Sequence, residues 1–256
     1  MEVAMDLLQV VQERELTRSE IVDRQRQIYE RVLTETEHLD AANFRRASSR
    51  VLDFLFDQYD AEFFQGEIRR ELNTIPVFFN FSTRMTSAGG KTAMYRLPAD
   101  PERRRFEISV ASTVLFNCFS DSGQREIVAS GIVCHDRLEA LQRVMEHEIV
   151  HLIEMLLWDV SSCAQRRFHS ITYRFFHHTE NKHRLITSRE RAYVKFGIRP
   201  GVRVRFRFDG AEYRGVVNRV NKRATVLVED LTGTPYSDGK RYRKYYVPLP
   251  MLEALE

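Results

Sequence analysis

Residues Glu146–Trp158 read EHEIVHLIEMLLW, with two histidines four positions apart and a glutamate between them inside an apolar segment. From Asp136 to Trp158, Leu138, Leu141, Val144, Met145, Ile149, Leu152, Ile153 and Leu156 recur at intervals of three and four, which predicts a long buried helix. Positions i and i+4 share a helical face, so His147 and His151 can offer two imidazole nitrogens to one zinc ion. Glu148 is turned about 100° from His147, where a carboxylate reaches a water beside the metal and serves as its general base. The competing explanation is a core helix whose histidines share a face by coincidence. It leaves a carboxylate without a partner in apolar surroundings, a costly arrangement. The pattern therefore predicts a zinc site with Glu148 catalytic.

A catalytic zinc needs a third protein ligand. Cys163, His169, His177, His178 and His183 follow the motif. A second helix predicted from about Ser162 to His177 folds back on the first, so its N-terminal end lies nearest the metal. Cys163 and His169 therefore lead. A thiol at a helix N-terminus gains thiolate character, which zinc favours. His169 has the commoner ligand chemistry but lies more than a turn further along. A packed cysteine and a surface histidine are the plain alternatives.

The flanking sequence reads as an α+β protein. The opening quarter lacks glycine and proline and is helical: LTRSEIVDRQRQIYERVLTETEHL carries an apolar stripe at Ile21, Ile28, Val32 and Leu33, with a solvated arm as the alternative to packing, and ANFRRASSRVLDFLFDQYDAEFF is an amphipathic core helix. IPVFFNFS and RFEISVAS are strand-like, separated by the turn-forming SAGGKT and LPADPE, and suggest a small antiparallel sheet. After Gly197 the sequence alternates with period two, broken at Asp209-Gly210 and Asn221-Lys222-Arg223, as expected of a small all-β barrel of SH3-like size. The expected divisions are a helical arm over 1–45, a metal-binding domain over 46–180, a connector over 181–198 and the barrel over 199–256.

In that order, FLFDQYDAEFFQGEI, FNFSTRMTSAGG, FEISVAS, LQRVMEHEIVHLIEMLLW and RRFHSITYRFFHHT resemble the SprT-like zinc metalloprotease domain, over about Val51 to Thr179. The resemblance implies a zincin-like fold and a zinc peptidase related to DNA-dependent proteases that degrade DNA-crosslinked proteins. His147 and His151 would be its ligands and Glu148 its base. Such domains take their third ligand from a His-Gly pair before the second helix, where this sequence has SSCAQRRF. Either Cys163 substitutes, or His169 reaches in, or the site has two protein ligands. The tail resembles the small barrel appended to some bacterial members.

The net charge of +3 over 256 residues is too small to argue by itself for a nucleic-acid partner. Local clustering argues more strongly. Arg203, Arg205 and Arg207 share one strand face, and Lys240, Arg241, Arg243 and Lys244 lie among Tyr242, Tyr245 and Tyr246. Such cations neutralise phosphates while the rings stack on bases of single-stranded or duplex DNA; a solvated barrel surface facing a protein partner is the alternative. Three cysteines without paired spacing, no signal-like start and no apolar run of about 20 residues point to a cytoplasmic protein without a membrane span. The expected function is zinc-dependent hydrolysis of peptide bonds in a protein substrate. A non-catalytic zinc-containing module that binds nucleic acid or protein is the alternative, and a zinc hydrolase with a non-protein substrate is a third.

Overall fold

Neither glycine nor proline occurs before Gly66, and helices occupy most of that span. In the computed structural model, which describes residues 5–37, 39–98, 100–120 and 125–255, α1 (Leu7–Glu13) and α2 (Arg18–Glu35) each begin with a capping box, Asp6 with Gln9 and Thr17 with Glu20. α2 is not a solvated arm. Its Ile21, Ile28 and Val32 are fully buried, and the helix lies against α3 (Arg50–Phe64) and the motif helix. α4 (Glu67–Leu72) follows the left-handed pair Gln65 and Gly66.

β1 (Val77–Ser82), β2 (Gly90–Leu97) and β3 (Asp100–Ala111) form a sheet in the order β1-β3-β2. β2 pairs with β3 antiparallel, but β1 pairs with β3 parallel, so the expected antiparallel sheet is mixed. The cause is local. Residues 83–89 cross the end of β3 rather than folding β1 back on its neighbour, and Ala111 N donates to Gly89 O across that end at 2.8 Å. α5 (Ser112–Asn117) leads to a hairpin, β4 (Ile127–Ala129) and β5 (Ile132–Cys134), turned by Ser130 and Gly131 at φ 54° and 81°.

The motif helix is α6 (Arg137–Trp158), capped by Asp136 and closed by Asp159 at φ 59°. Nearly all of it is buried, including the charged Arg143, Glu146 and Glu154. α7 (Arg166–Phe176) packs on α6. β6 (His183–Arg184) then adds to β4, in a sheet of order β5-β4-β6.

The chain divides into two units between Leu185 and Ile186. The stretch 181–198, expected as a connector, is thus shared: β6 belongs to the first unit and α8 (Ser188–Phe196) to the second. Ala192 and Ile198 join a core with Val204, Phe206, Val226 and Val247. That core backs β7 (Arg203–Phe208), β8 (Ala211–Val220), β9 (Arg223–Pro235), β10 (Arg241–Pro248) and β11 (Glu253–Ala254). Their order is β10-β9-β8-β7-β11, antiparallel throughout. Among the described residues no pairing joins β10 to β11, so the sheet is open where closure into a barrel was expected. No described helix is long and apolar enough to cross a membrane.

Candidate metal centre

α6 carries His147, Glu148 and His151 to the wall of a cavity of about 500 Å³, also lined by Gly89, Gly90, Cys163 and His183. The two Nε2 atoms of His147 and His151 stand 3.1 Å apart. Nitrogens bound to one zinc at about 2.0–2.1 Å in tetrahedral geometry stand about 3.4 Å apart. Ligand atoms of His147, His151 and Cys163 all lie within 4.8 Å of one another, so the three could hold a metal ion. His169 is exposed on α7 and does not line the cavity, because the helix turns it outward. Its commoner ligand chemistry does not compensate for that orientation.

The orientation of His151 follows from its partners. Ser161 Oγ donates its one proton to Glu154 Oε2 at 2.6 Å and lies 2.6 Å from His151 Nδ1. It must therefore accept from Nδ1–H, which leaves Nε2 with a free lone pair, as metal ligation requires. Arg167 Nε holds the other Glu154 oxygen at 2.7 Å, so this buried carboxylate is tied to the His151 hydrogen-bond chain. Burial lowers the His151 imidazole to about 4. His147 is held well below the ordinary histidine range by burial and then by neighbouring His183 and His151. Both rings are thus neutral donors near pH 7.

Glu148 points toward β2. Its Oε2 accepts from Thr92 Oγ1 at 2.7 Å, and the strand comes this close because Gly90 has no side chain: a Cβ there would stand 2.5 Å from Glu148 Oε1. Burial pushes the Glu148 carboxyl up to about 7, against the lowering effect of the Thr92 hydrogen bond. Such a group can take a proton near neutral pH.

A neighbouring network is structural. Glu146, fully buried, accepts from Tyr59 Oη at 2.7 Å and Gln25 Nε2 at 2.9 Å, and it meets His178 Nε2 at 2.8 Å and Arg143 at 3.2 Å. His178 is thereby spent on Glu146.

In the second unit, the tail cations largely have partners. Glu253 binds Arg205 through two contacts of 2.6 and 2.7 Å, Glu229 binds Lys240 at 2.9 Å, and Asp230 binds Arg243 at 3.0 Å. Arg241 donates to Gly233 O at 2.8 Å, and Lys244 lies over the Tyr236 ring. Arg203 and Arg207 are exposed, without a carboxylate partner among the described residues. Tyr245 packs among Phe206, Phe208 and Tyr213, and Tyr242 donates to Asp238, so Tyr246, 65% exposed, is the most accessible of the three rings.

Sequence reasoning did not single out Thr92, Ser161 or the role of Glu154, and it read Gly89-Gly90 as a turn. The adjacent glycines were the one visible signal of a close backbone approach. No family model matches this chain, and neither a curated protein nor a solved structure matches it.

Proposed function

We propose that this chain is a zinc-dependent metallopeptidase of the SprT-like, zincin type, with His147, His151 and Cys163 as ligands and Glu148 as general base. The observation that carries the reading is the 3.1 Å approach of two imidazole nitrogens beside a buried carboxylate and a thiol. When bound, zinc supplies Lewis acidity toward a peptide carbonyl and a water. Glu148 takes the proton of the attacking water and returns it to the leaving amine nitrogen. β2 is an edge strand among the described residues, and its Gly90–Thr92 stretch runs beside Glu148. An extended peptide pairing there sets its carbonyl next to the base.

The second unit, as a small SH3-like module, brings the enzyme to DNA or to DNA-bound protein through Arg203 and Arg207, with Arg241 and Lys244 at the β10 end. The full basic set also includes Arg205, Lys240 and Arg243, whose carboxylate partners reduce what they offer a phosphate.

Elemental analysis and cleavage of a quenched peptide pool test the reading together. Wild type holds about one zinc per chain and cleaves, His147→Ala loses the metal, and Glu148→Gln keeps the metal but not the activity. Equal zinc in wild type and His147→Ala removes the site. Zinc without cleavage in wild type replaces the enzyme with a non-catalytic zinc-containing binding module.

A further inference from the structure

His183 reaches the same cavity from β6, an element separate from the motif helix. Its place is built. β6 pairs with β4 through Ala129 and His183, Ser130 N donates to Lys182 O at 3.0 Å, and Ser130 O accepts from Thr179 N at 3.0 Å. The ring packs against His147 with centroids 4.8 Å apart, and against Gly89, where a Cβ would stand 2.9 Å from His183 Cδ2. Nδ1 faces Ser130 Oγ at 3.5 Å, while Nε2 is buried and has no hydrogen-bond partner.

A buried ring nitrogen with no partner is costly unless something occupies its site. Nitrogen atoms of His183 and His147 and a carboxylate oxygen of Glu148 lie within 4.8 Å of one another. Of the two groupings that could hold a metal ion, the one with both His147 and His151 is completed by Cys163, and His183 falls in the other, with His147 and Glu148. His183 Nε2 makes no hydrogen bond to Glu148, so it is free for a substrate atom in the cavity that both residues line.

We propose that His183 is a second catalytic residue, which donates a hydrogen bond from Nε2–H to the carbonyl oxygen of the substrate as negative charge develops there. The assignment rests on the peptidase reading above. The attacking water gives its proton to Glu148, and its oxygen bonds to the carbonyl carbon. The carbonyl π pair moves onto the oxygen that His183 contacts, and His183 keeps its proton. The pair then returns to re-form C=O, the C–N bond breaks, and the proton on Glu148 passes to the amine nitrogen. A donor fixed in a buried site before reaction stabilises this charge without reorganising.

His183→Phe keeps a ring without a donor, and His183→Gln restores an N–H near the same place. The measurements are zinc per chain, kcat and KM on the peptide pool, and affinity for an N-phosphoryl dipeptide, whose tetrahedral oxyanion imitates the charged oxygen. For His183→Phe, kcat falls about 100- to 1,000-fold with zinc and KM unchanged, affinity for the N-phosphoryl dipeptide weakens by at least about tenfold, and His183→Gln recovers part of both losses. Unchanged kcat in metal-loaded His183→Phe overturns the assignment, as does loss of zinc from both variants, which would make His183 a ligand. If wild type cleaves no peptide, the peptidase reading fails separately and the N-phosphoryl dipeptide decides. Weaker binding by His183→Phe then upholds the oxyanion contact, whereas equal binding, or none by wild type, removes it.

Discussion

The Thr92 hydroxyl lies 2.7 Å from Glu148 Oε2 and 3.0 Å from the Glu148 carbonyl oxygen. One side chain on the edge strand thus touches both the carboxylate of the proposed base and the helix backbone that carries it.

Replacing Thr92 with Val keeps the branched shape and removes that contact. Glu148 loses an orienting donor and the hydrogen bond that opposes the burial-driven rise of its pKa. We expect kcat to fall roughly tenfold, with zinc content unchanged. Equal pH–rate profiles for Thr92→Val and wild type would contradict this.

The three cysteines differ in access. Cys118 and Cys134 are buried, and burial pushes the Cys134 thiol up to about 12, whereas Cys163 is half-buried on the cavity wall. N-Ethylmaleimide should label Cys163 first in chelator-treated protein, and added zinc should suppress that labelling. Peptide mapping by mass spectrometry reads the result. Labelling of Cys163 at the same rate with and without zinc would exclude it as a ligand.

Acid should destabilise the metal-free protein. His151 and His183 have folded pKa values lowered to about 4 and about 3, and His147 and His178 are lowered as well. Below about pH 6.5 the unfolded chain binds more protons at these sites, so their contribution is complete above that pH and is lost as pH falls. Glu148, raised to about 7, and Asp60, raised by burial, act with the opposite sign above the ordinary carboxylate range, as two groups against four. The unfolding free energy of chelator-treated protein, read from urea denaturation, should therefore rise between pH 4.5 and 6.5, by up to about 1.4 kcal/mol per pH unit for each unbalanced histidine, and the urea midpoint should rise with it. A flat or falling midpoint would show that the rings are not held neutral.

Glu146→Ala should cost about 3–5 kcal/mol, because it strands Arg143 and leaves Tyr59 and His178 without their shared acceptor. Glu146→Gln keeps an acceptor and should cost less. Chemical denaturation of both variants makes the comparison, and a loss below about 1 kcal/mol for Ala would mean that water replaces the carboxylate.

For the second unit, four cations without carboxylate partners should give a log–log salt slope near about −3 for single-stranded DNA, made shallower by roughly 0.7 in Arg203→Ala or Arg207→Ala. Arg205→Ala should change it less, since its two contacts to Glu253 already neutralise it. Fluorescence anisotropy at several salt concentrations measures the slopes. Undetectable binding at low salt, or binding unchanged by truncation after Ile198, would favour a protein partner.

The helical spacing of His147, Glu148 and His151 was legible because a period of three to four residues is a local property, and α6 follows it from Arg137 to Trp158. The α+β composition was legible for the same reason. The parallel pairing of β1 with β3 was not, because it depends on a loop crossing a strand end rather than on either strand's residues. His169 and Cys163 could not be ranked by distance along the chain, since helical phase turns one outward and leaves the other on the cavity wall. Thr92 is 56 positions from Glu148 and His183 is 32 from His151, and strand pairing brings both beside the motif.

The burial of α2 has a practical consequence for anyone excising the metal-centre unit. The stretch proposed to be SprT-like begins near Val51, yet Gln25 supplies a bond to Glu146, the residue next to His147, and Ile21, Ile28 and Val32 cover apolar surface that would otherwise meet water. A fragment trimmed to the recognisable motif would expose that surface and one side of a buried carboxylate network. The smallest autonomous folding fragment therefore starts upstream of the residues that advertise its chemistry, and expression boundaries drawn by similarity would yield an aggregating product.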